Sequence, residues 1–160
     1  MTENLCINAL APDWEFVSDK VMGGISEGEV VQCADEGARL TGQVSLENNG
    51  GFVQMAFDLE PDGAARDVSD WTGLQMEVRG NDERYEVRLR TEQLSRPWQS
   101  YMLDFHATSE WQTLQLPFGH FMPHRTEIPL ELTALRRVGV LGIGREFFAD
   151  ITVKSVALYR

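Results

Sequence analysis

Three histidines, His106, His120 and His124, are the side chains of this 160-residue chain best suited to hold a transition metal or to move a proton near neutral pH. His120 and His124 stand four apart, but Pro123 lies between them, so no helix holds both on one face. A zinc site needs three or four converging ligands, and Cys6 and Cys33 lie far away without metal-ligand spacing. Asp13, Asp19 and Asp150 are hard oxygen donors of the kind calcium prefers, yet no Asp-rich loop of fixed spacing joins them. Ser100, Asp104 and His106 supply the residue types of a nucleophilic triad without a nucleophile elbow or an oxyanion loop. Glu47 and Glu77 offer a carboxylate pair that is equally unsupported. No phosphate loop of Walker type occurs, and GVLGIG at 139–144 lacks the helix that a dinucleotide fingerprint requires. The sequence therefore predicts no catalytic residue, no metal and no cofactor: this is not expected to be an enzyme.

The residues suited to binding are better organised. Trp14 to Gly28 reads WEFVSDKVMGGISEG. Gly23 and Gly24 permit positive φ or a close backbone approach, and Asp19 and Ser26 bracket them with acceptors suited to capping free amides. Met22, apolar within a polar turn, is expected to plug the core. Gly42 to Phe52 reads GQVSLENNGGF, in which Asn48, Asn49, Gly50 and Gly51 make a tight connection and Phe52 falls on the face opposite Val53. Each stretch is either a self-satisfied structural loop or part of a ligand or partner site. Among the four tryptophans, Trp14 and Trp111 sit in strand-like patterns, whereas Trp98 follows Pro97 in a polar loop and is placed to stack on a ligand. Arg79, Arg88 and Arg90 are placed on an outer sheet face near Tyr101, able to fix a hydroxylated or anionic group by paired hydrogen bonds. A solvated, salt-bridged sheet face is the alternative.

The elements that carry these residues follow a period of two. Val53, Met55, Phe57 and Leu59 alternate with polar or small residues, as do Leu74, Met76 and Val78, then Tyr85, Val87 and Leu89, then Phe147, Ala149, Ile151 and Val153. Val156 and Leu158 shift the phase, which predicts a bulge near Lys154-Ser155. Further strands are expected at 29–33, 38–48, 99–106, 111–117 and 137–143, and short helical turns only within 129–137 and 67–71. Facing charges favour pairing 74–79 with 85–90 so that Glu77 opposes Arg88 and Arg79 opposes Glu86. Short strands with regular turn punctuation point to an all-β fold, a β-sandwich or jelly roll, in a single domain spanning 1–160.

Composition narrows the partners. Fourteen basic against 25 acidic residues leave a formal charge of −11, which repels phosphate backbones and anionic membrane surfaces. No nucleic acid and no integral membrane segment are expected, since no run of about eighteen apolar residues occurs. Glu3 stands where a signal peptide would carry positive charge, and two cysteines fit a reducing compartment, so the expectation is a cytoplasmic monomer.

SDKVMGGIS followed by ENNGGF carries a resemblance. With Val78-Arg79-Gly80-Asn81, Arg88-Leu89-Arg90-Thr91, Ser100-Tyr101, Trp111, Leu116-Pro117-Phe118 and Phe121-Met122-Pro123, the chain from Trp14 to Tyr159 resembles the complex I intermediate-associated protein 30 family. The resemblance implies a galactose-binding-like β-sandwich, the jelly-roll class shared with several carbohydrate-binding modules. It also implies a non-catalytic role like that of the mitochondrial members, which help assemble the membrane arm of NADH:ubiquinone oxidoreductase by holding a protein partner. The chain differs from eukaryotic members in showing no transit peptide, and from some photosynthetic relatives in lacking a fused nucleotide-binding domain. A carbohydrate- or small-ligand-binding module using the Arg-bearing sheet face is the alternative.

Overall fold

The computed structural model describes residues 7–33 and 35–160, without the side chains of Val21, Met22 and Asn49. Among the described residues the chain forms β1 (Ile7–Ala9), β2 (Glu15–Ser18), β3 (Glu27–Cys33), β4 (Gly37–Val44), β5 (Phe52–Asp58), β6 (Gly73–Arg79), β7 (Glu83–Thr91), β8 (Ser100–Ala107), β9 (Gln112–Pro117), β10 (Met122–His124), β11 (Leu135–Ile143) and β12 (Phe147–Tyr159). They build two antiparallel sheets. The first runs β3-β4-β12-β6-β9, with β1 paired to β12; the second runs β10-β8-β7-β11-β5-β2. This is the all-β sandwich that the alternation predicts.

The inward phase of each strand fills the space between the sheets. Leu40, Val44, Leu74, Met76, Val78, Ile151 and Leu158 from the first sheet meet Val53, Met55, Phe57, Tyr85, Val87, Leu89 and Val140 from the second, all essentially without solvent contact. Burying each such side chain stabilises the fold by roughly 1.5–3 kcal/mol, so this layer dominates the energetics. The sheets are also tied by hydrogen bonds: the Tyr85 hydroxyl accepts from the Asp150 amide at 2.8 Å and donates to Asn81 Oδ1 at 2.6 Å. Burial, foremost, pushes the Tyr85 phenol up to about 12.

Two expectations on strand pairing separate here. The bulge falls where the phase slips, between Val153 and Ser155. The pairing of 74–79 with 85–90 is corrected. β6 pairs with β12 and β9, and β7 pairs with β11 and β8, in opposite sheets. Gly80-Asn81-Asp82 is a crossover between sheets, not a hairpin turn. Asp82 takes a φ of 65°, Gly80 lies where a Cβ would meet Ala107 at 2.6 Å, and Asn81 Nδ2 donates to the Phe148 carbonyl at 2.8 Å. The charges that favoured the hairpin are matched elsewhere: Arg79 with Glu36 at 2.7 Å and Arg88 with Glu86 at 2.7 Å.

Strands β1, β2 and β10 are too short for alternation to reveal. Residues 45–48, expected to continue a strand, instead enter a 3-10 turn at Glu47–Asn49, with Asn48 at φ 57°. The 129–137 segment holds one 3-10 turn, Leu132–Ala134, before β11 begins. Near Asp67 the chain makes a side-chain-capped bend, Ser69 donating through N and Oγ to Asp67 Oδ1. No helix among the described residues is long and apolar enough to cross a membrane.

Candidate functional site

The Ser18–Ser26 loop is organised around one buried carboxylate. Ser18 caps a 3-10 turn at Asp19–Met22 by accepting from the Lys20 amide, and Gly23 ends it at φ 91°. Asp19 is 0% exposed. Its Oδ1 accepts from the Ser26 amide at 3.0 Å; its Oδ2 accepts from the Ser26 hydroxyl and the Gly51 amide at 2.5 Å each, and from the Phe52 amide at 3.2 Å. The Ser26 hydroxyl in turn accepts from the Ser45 amide at 2.8 Å. Burial alone would raise the Asp19 pKa, but the Ser26 hydroxyl and the amides of Gly51, Ser26 and Phe52 outweigh it and hold the carboxyl below the ordinary 3.8.

One glycine in each loop, Gly24 and Gly50, makes room for this carboxylate. A Cβ on Gly24 would lie 2.5 Å from Asp19 Cγ and 2.8 Å from Gly50 Cα, and one on Gly50 would collide with Asp19 Oδ2. SDKVMGGIS and ENNGGF thus lock together, joining the loop after β2 to the turn before β5. Every Asp19 oxygen faces an N–H or O–H donor. Asp150 is likewise engaged, receiving both Arg39 Nε and Nη2 at 2.9 and 2.7 Å. Of the candidate loop residues, Asp19, Gly24 and Ser26 are buried and Gly23 and Asn48 are exposed. Gly50 and Phe52 are half-buried, and the side chains of Met22 and Asn49 lie outside the described residues.

Arg88 and Arg90 lie on a different surface, the outer face of the second sheet. Register assembles a row across all six strands: Glu15, Ala56, Gly139, Arg88, Met102 and Met122. Beside it run Gln54, Leu141, Glu86 and Asp104. Small residues make the middle of the row a floor. A Cβ on Gly139 would collide with the Gln54 amide oxygen, which therefore lies over the glycine. Arg88 rises next to that floor, with Nε and Nη2 on Glu86 Oε1 at 2.8 and 2.7 Å and Nη1 on the Ser100 hydroxyl at 3.2 Å. Its side chain keeps 14% of its surface exposed and that of Glu86 9%, so the pair is pre-positioned and nearly dry. Burial first, and then the positive charges of Arg88 and Arg125, push the pKa of His124, paired across to Ser100, below the usual imidazole value.

Other members of the candidate set disperse. Tyr101 is a correction: it is fully buried on the inner face, its hydroxyl donating to the Ile128 carbonyl at 2.8 Å. It shares the inward phase of Phe105 and Ala107. Arg79 belongs to the first sheet, with its guanidinium 4.9 Å from the Trp111 ring, so it takes no part in the Arg88 face. Trp98 is 52% exposed in the loop before β8, with Arg96 5.9 Å above its ring. Ser100, Asp104 and His106 alternate along β8, which separates Ser100 from His106 by about 20 Å and assembles no triad. Gln54, Ala56, Met102 and Gly139 were not singled out from sequence; register alone brings them beside Glu86, Met122 and His124.

Two surface depressions lie elsewhere. One of about 440 Å³ is bordered by Phe16, Lys20, Glu27, Gly42 and Phe148, and one of about 410 Å³ by Leu10, Trp14, Gln75 and Lys154. The first carries two acidic side chains, Glu27 and Glu29, with Lys20 paired to Glu27 at 3.0 Å.

Comparison with solved structures places this architecture among carbohydrate-binding modules. The family 11 module from Clostridium thermocellum, solved with a β-1,3-1,4-mixed-linked tetrasaccharide, matches with a TM-score of 0.67 at 15% identity, covering 95% of this chain and 94% of that one. The family 30 module of a cellulosomal cellulase from the same organism matches with a TM-score of 0.67 at 11% identity, covering 96% of each chain. An agarase matches over 93% of this chain but only 22% of its own, with a TM-score of 0.63 and 10% identity. These likenesses show the fold. No curated protein sequence matches the chain significantly. The family model for complex I intermediate-associated protein 30 matches residues 8–148, and the chain belongs to that family.

Proposed function

We propose that the protein is a non-catalytic binding module that holds a hydroxylated, chain-like ligand of oligosaccharide type along the outer face of the β10-β8-β7-β11-β5-β2 sheet. The observation that carries this reading is the row from Glu15 to Met122. Its low middle, Ala56 and Gly139 buried beneath Gln54, is flanked by an oriented Glu86–Arg88 pair, with Ser100 and His124 as further hydrogen-bonding groups. Met102 and the 64%-exposed Met122 supply the apolar surface that a sugar ring's C–H face covers. Binding requires no group to change protonation, and the titratable side chains of the face are engaged with one another rather than aimed at a reacting centre.

A second reading comes from the family's description: the same face, with exposed Met122 and Trp98, holds a protein partner during assembly of a larger complex. Calorimetric titration against a panel of neutral and acidic oligosaccharides separates the two. Binding of at least one member in the micromolar to low-millimolar range is expected. A folded protein that gives no heat with any of them would overturn the oligosaccharide reading and favour the protein partner.

A further inference from the structure

Charge on the outer face is unevenly matched along its length. Arg88 has Glu86, and Arg137 has both Asp58, at 2.9 Å, and Glu15. Arg90 and Arg136 have no such partner. Among the described residues neither has a carboxylate oxygen within the 4.0 Å of an ion pair. Arg90 donates only to two loop carbonyls, Nε to Gln99 at 3.2 Å and Nη2 to Arg96 at 3.0 Å. A guanidinium has five N–H groups, so three find no acceptor among the described residues. The Nε of Arg136 is buried and has no hydrogen-bond partner among the described residues. Buried donors are almost always satisfied, because desolvation without a bond is uncompensated.

Local backbone geometry brings these groups to one place. β11 pairs Leu135 with Thr91 and then Arg137 with Arg90, so Arg136 is the extra residue of a bulge. Two arginines therefore oppose one. Burial, followed by the repulsion of Arg136 and Arg137, holds the Arg90 pKa below its usual value. Arg125, at φ 59° just beyond β10, adds to the positive field felt at His124. In a chain of net charge −11, this end of the face is a concentrated positive spot.

We infer that Arg90 and Arg136 form an oxyanion subsite that takes a carboxylate or sulfate substituent of an acidic glycan lying on the face. This rests on the oligosaccharide reading above. A planar guanidinium presents paired donors that match such an oxyanion, and the unused N–H groups of Arg90 with the terminal Nη groups of Arg136 provide them, the buried Nε marking that guanidinium as unpaired. Glu86 and Asp104 stand on the same face. They repel a continuous polyphosphate and favour isolated anionic substituents on an otherwise neutral chain.

The test titrates wild-type protein, Arg90→Gln and Arg136→Gln with three oligosaccharides of equal length: a neutral galactan, an oligogalacturonate and a sulfated galactan. At least one acidic ligand is expected to bind ten-fold or more tightly than the neutral one in low salt. Either substitution should erase that advantage, and Arg136→Gln should do so while leaving neutral binding and the melting temperature nearly unchanged; the arm that shows the effect identifies carboxylate or sulfate. Neutral and acidic ligands binding alike, or an acidic preference surviving both substitutions, would overturn the subsite and leave the oligosaccharide reading standing. No binding in any arm would overturn both.

Discussion

Asp19→Asn is expected to lower the melting temperature by about 10 °C. An amide offers one acceptor oxygen where the carboxylate offers two. Whichever way the amide turns, its NH₂ must face either the Ser26 amide or the amides of Gly51 and Phe52, setting donor against donor. Stranding buried donors in this way costs roughly 3–5 kcal/mol. For a chain of this length each kcal/mol is worth about 2–4 °C. Asp19→Glu should fare little better, because Gly24 and Gly50 close on the carboxylate and leave no room for another methylene.

Acid gives the same interaction a second signature. The Asp19 pKa is lowered in the folded protein, so its stabilisation is complete above the ordinary carboxylate value of 3.8 and is lost as pH falls through the lower folded value. The difference between wild type and Asp19→Asn should therefore be constant near neutral pH and shrink below about pH 4. Thermal melts across that range measure it. A difference that persists undiminished far into acid would show that the carboxylate charge is not what the loop uses.

Arg88→Lys is expected to weaken oligosaccharide binding at least ten-fold with a stability loss under about 1.5 kcal/mol. Lysine keeps the positive charge beside Glu86, so the nearly dry carboxylate is not left alone. It loses the planar fork that bonds Glu86 and Ser100 together and presents its remaining edge to the face. Isothermal titration against the tightest panel member, with a thermal melt alongside, separates affinity from folding. Unchanged affinity would remove Arg88 from the binding surface.

How much of this could be read from the chain depends on the range of each interaction. The inward phase of Leu74, Met76 and Val78 and of Tyr85, Val87 and Leu89 is local, and the sequence displays it. So is the phase slip at Lys154-Ser155. Pairing is not local. Glu77 and Arg88 are charge-compatible, but each sheet requires the other to cover it, and the chain crosses sheets at Gly80-Asn81-Asp82 instead of turning back. Arg79 was grouped with Arg88 for that reason. Tyr101 could have been placed correctly, since it alternates in phase with Phe105 and Ala107. The Asp19 lock joins loops 32 residues apart, and only the paired glycine pattern hints at it. The Ala56–Gly139 floor and the Arg136 bulge follow from register, which alternation does not specify when both faces of a strand are largely buried.

The outer-face assignment is tested most directly by hydrogen–deuterium exchange footprinting with the tightest-binding oligosaccharide from the panel. Slowed exchange is expected in β7, β8, β10 and β11, with 19–29 and 41–43 unchanged. Protection of 19–29, 41–43 and the segment around Phe148, with the β7 and β11 amides unaffected, would place the ligand in the 440 Å³ depression and contradict the assignment.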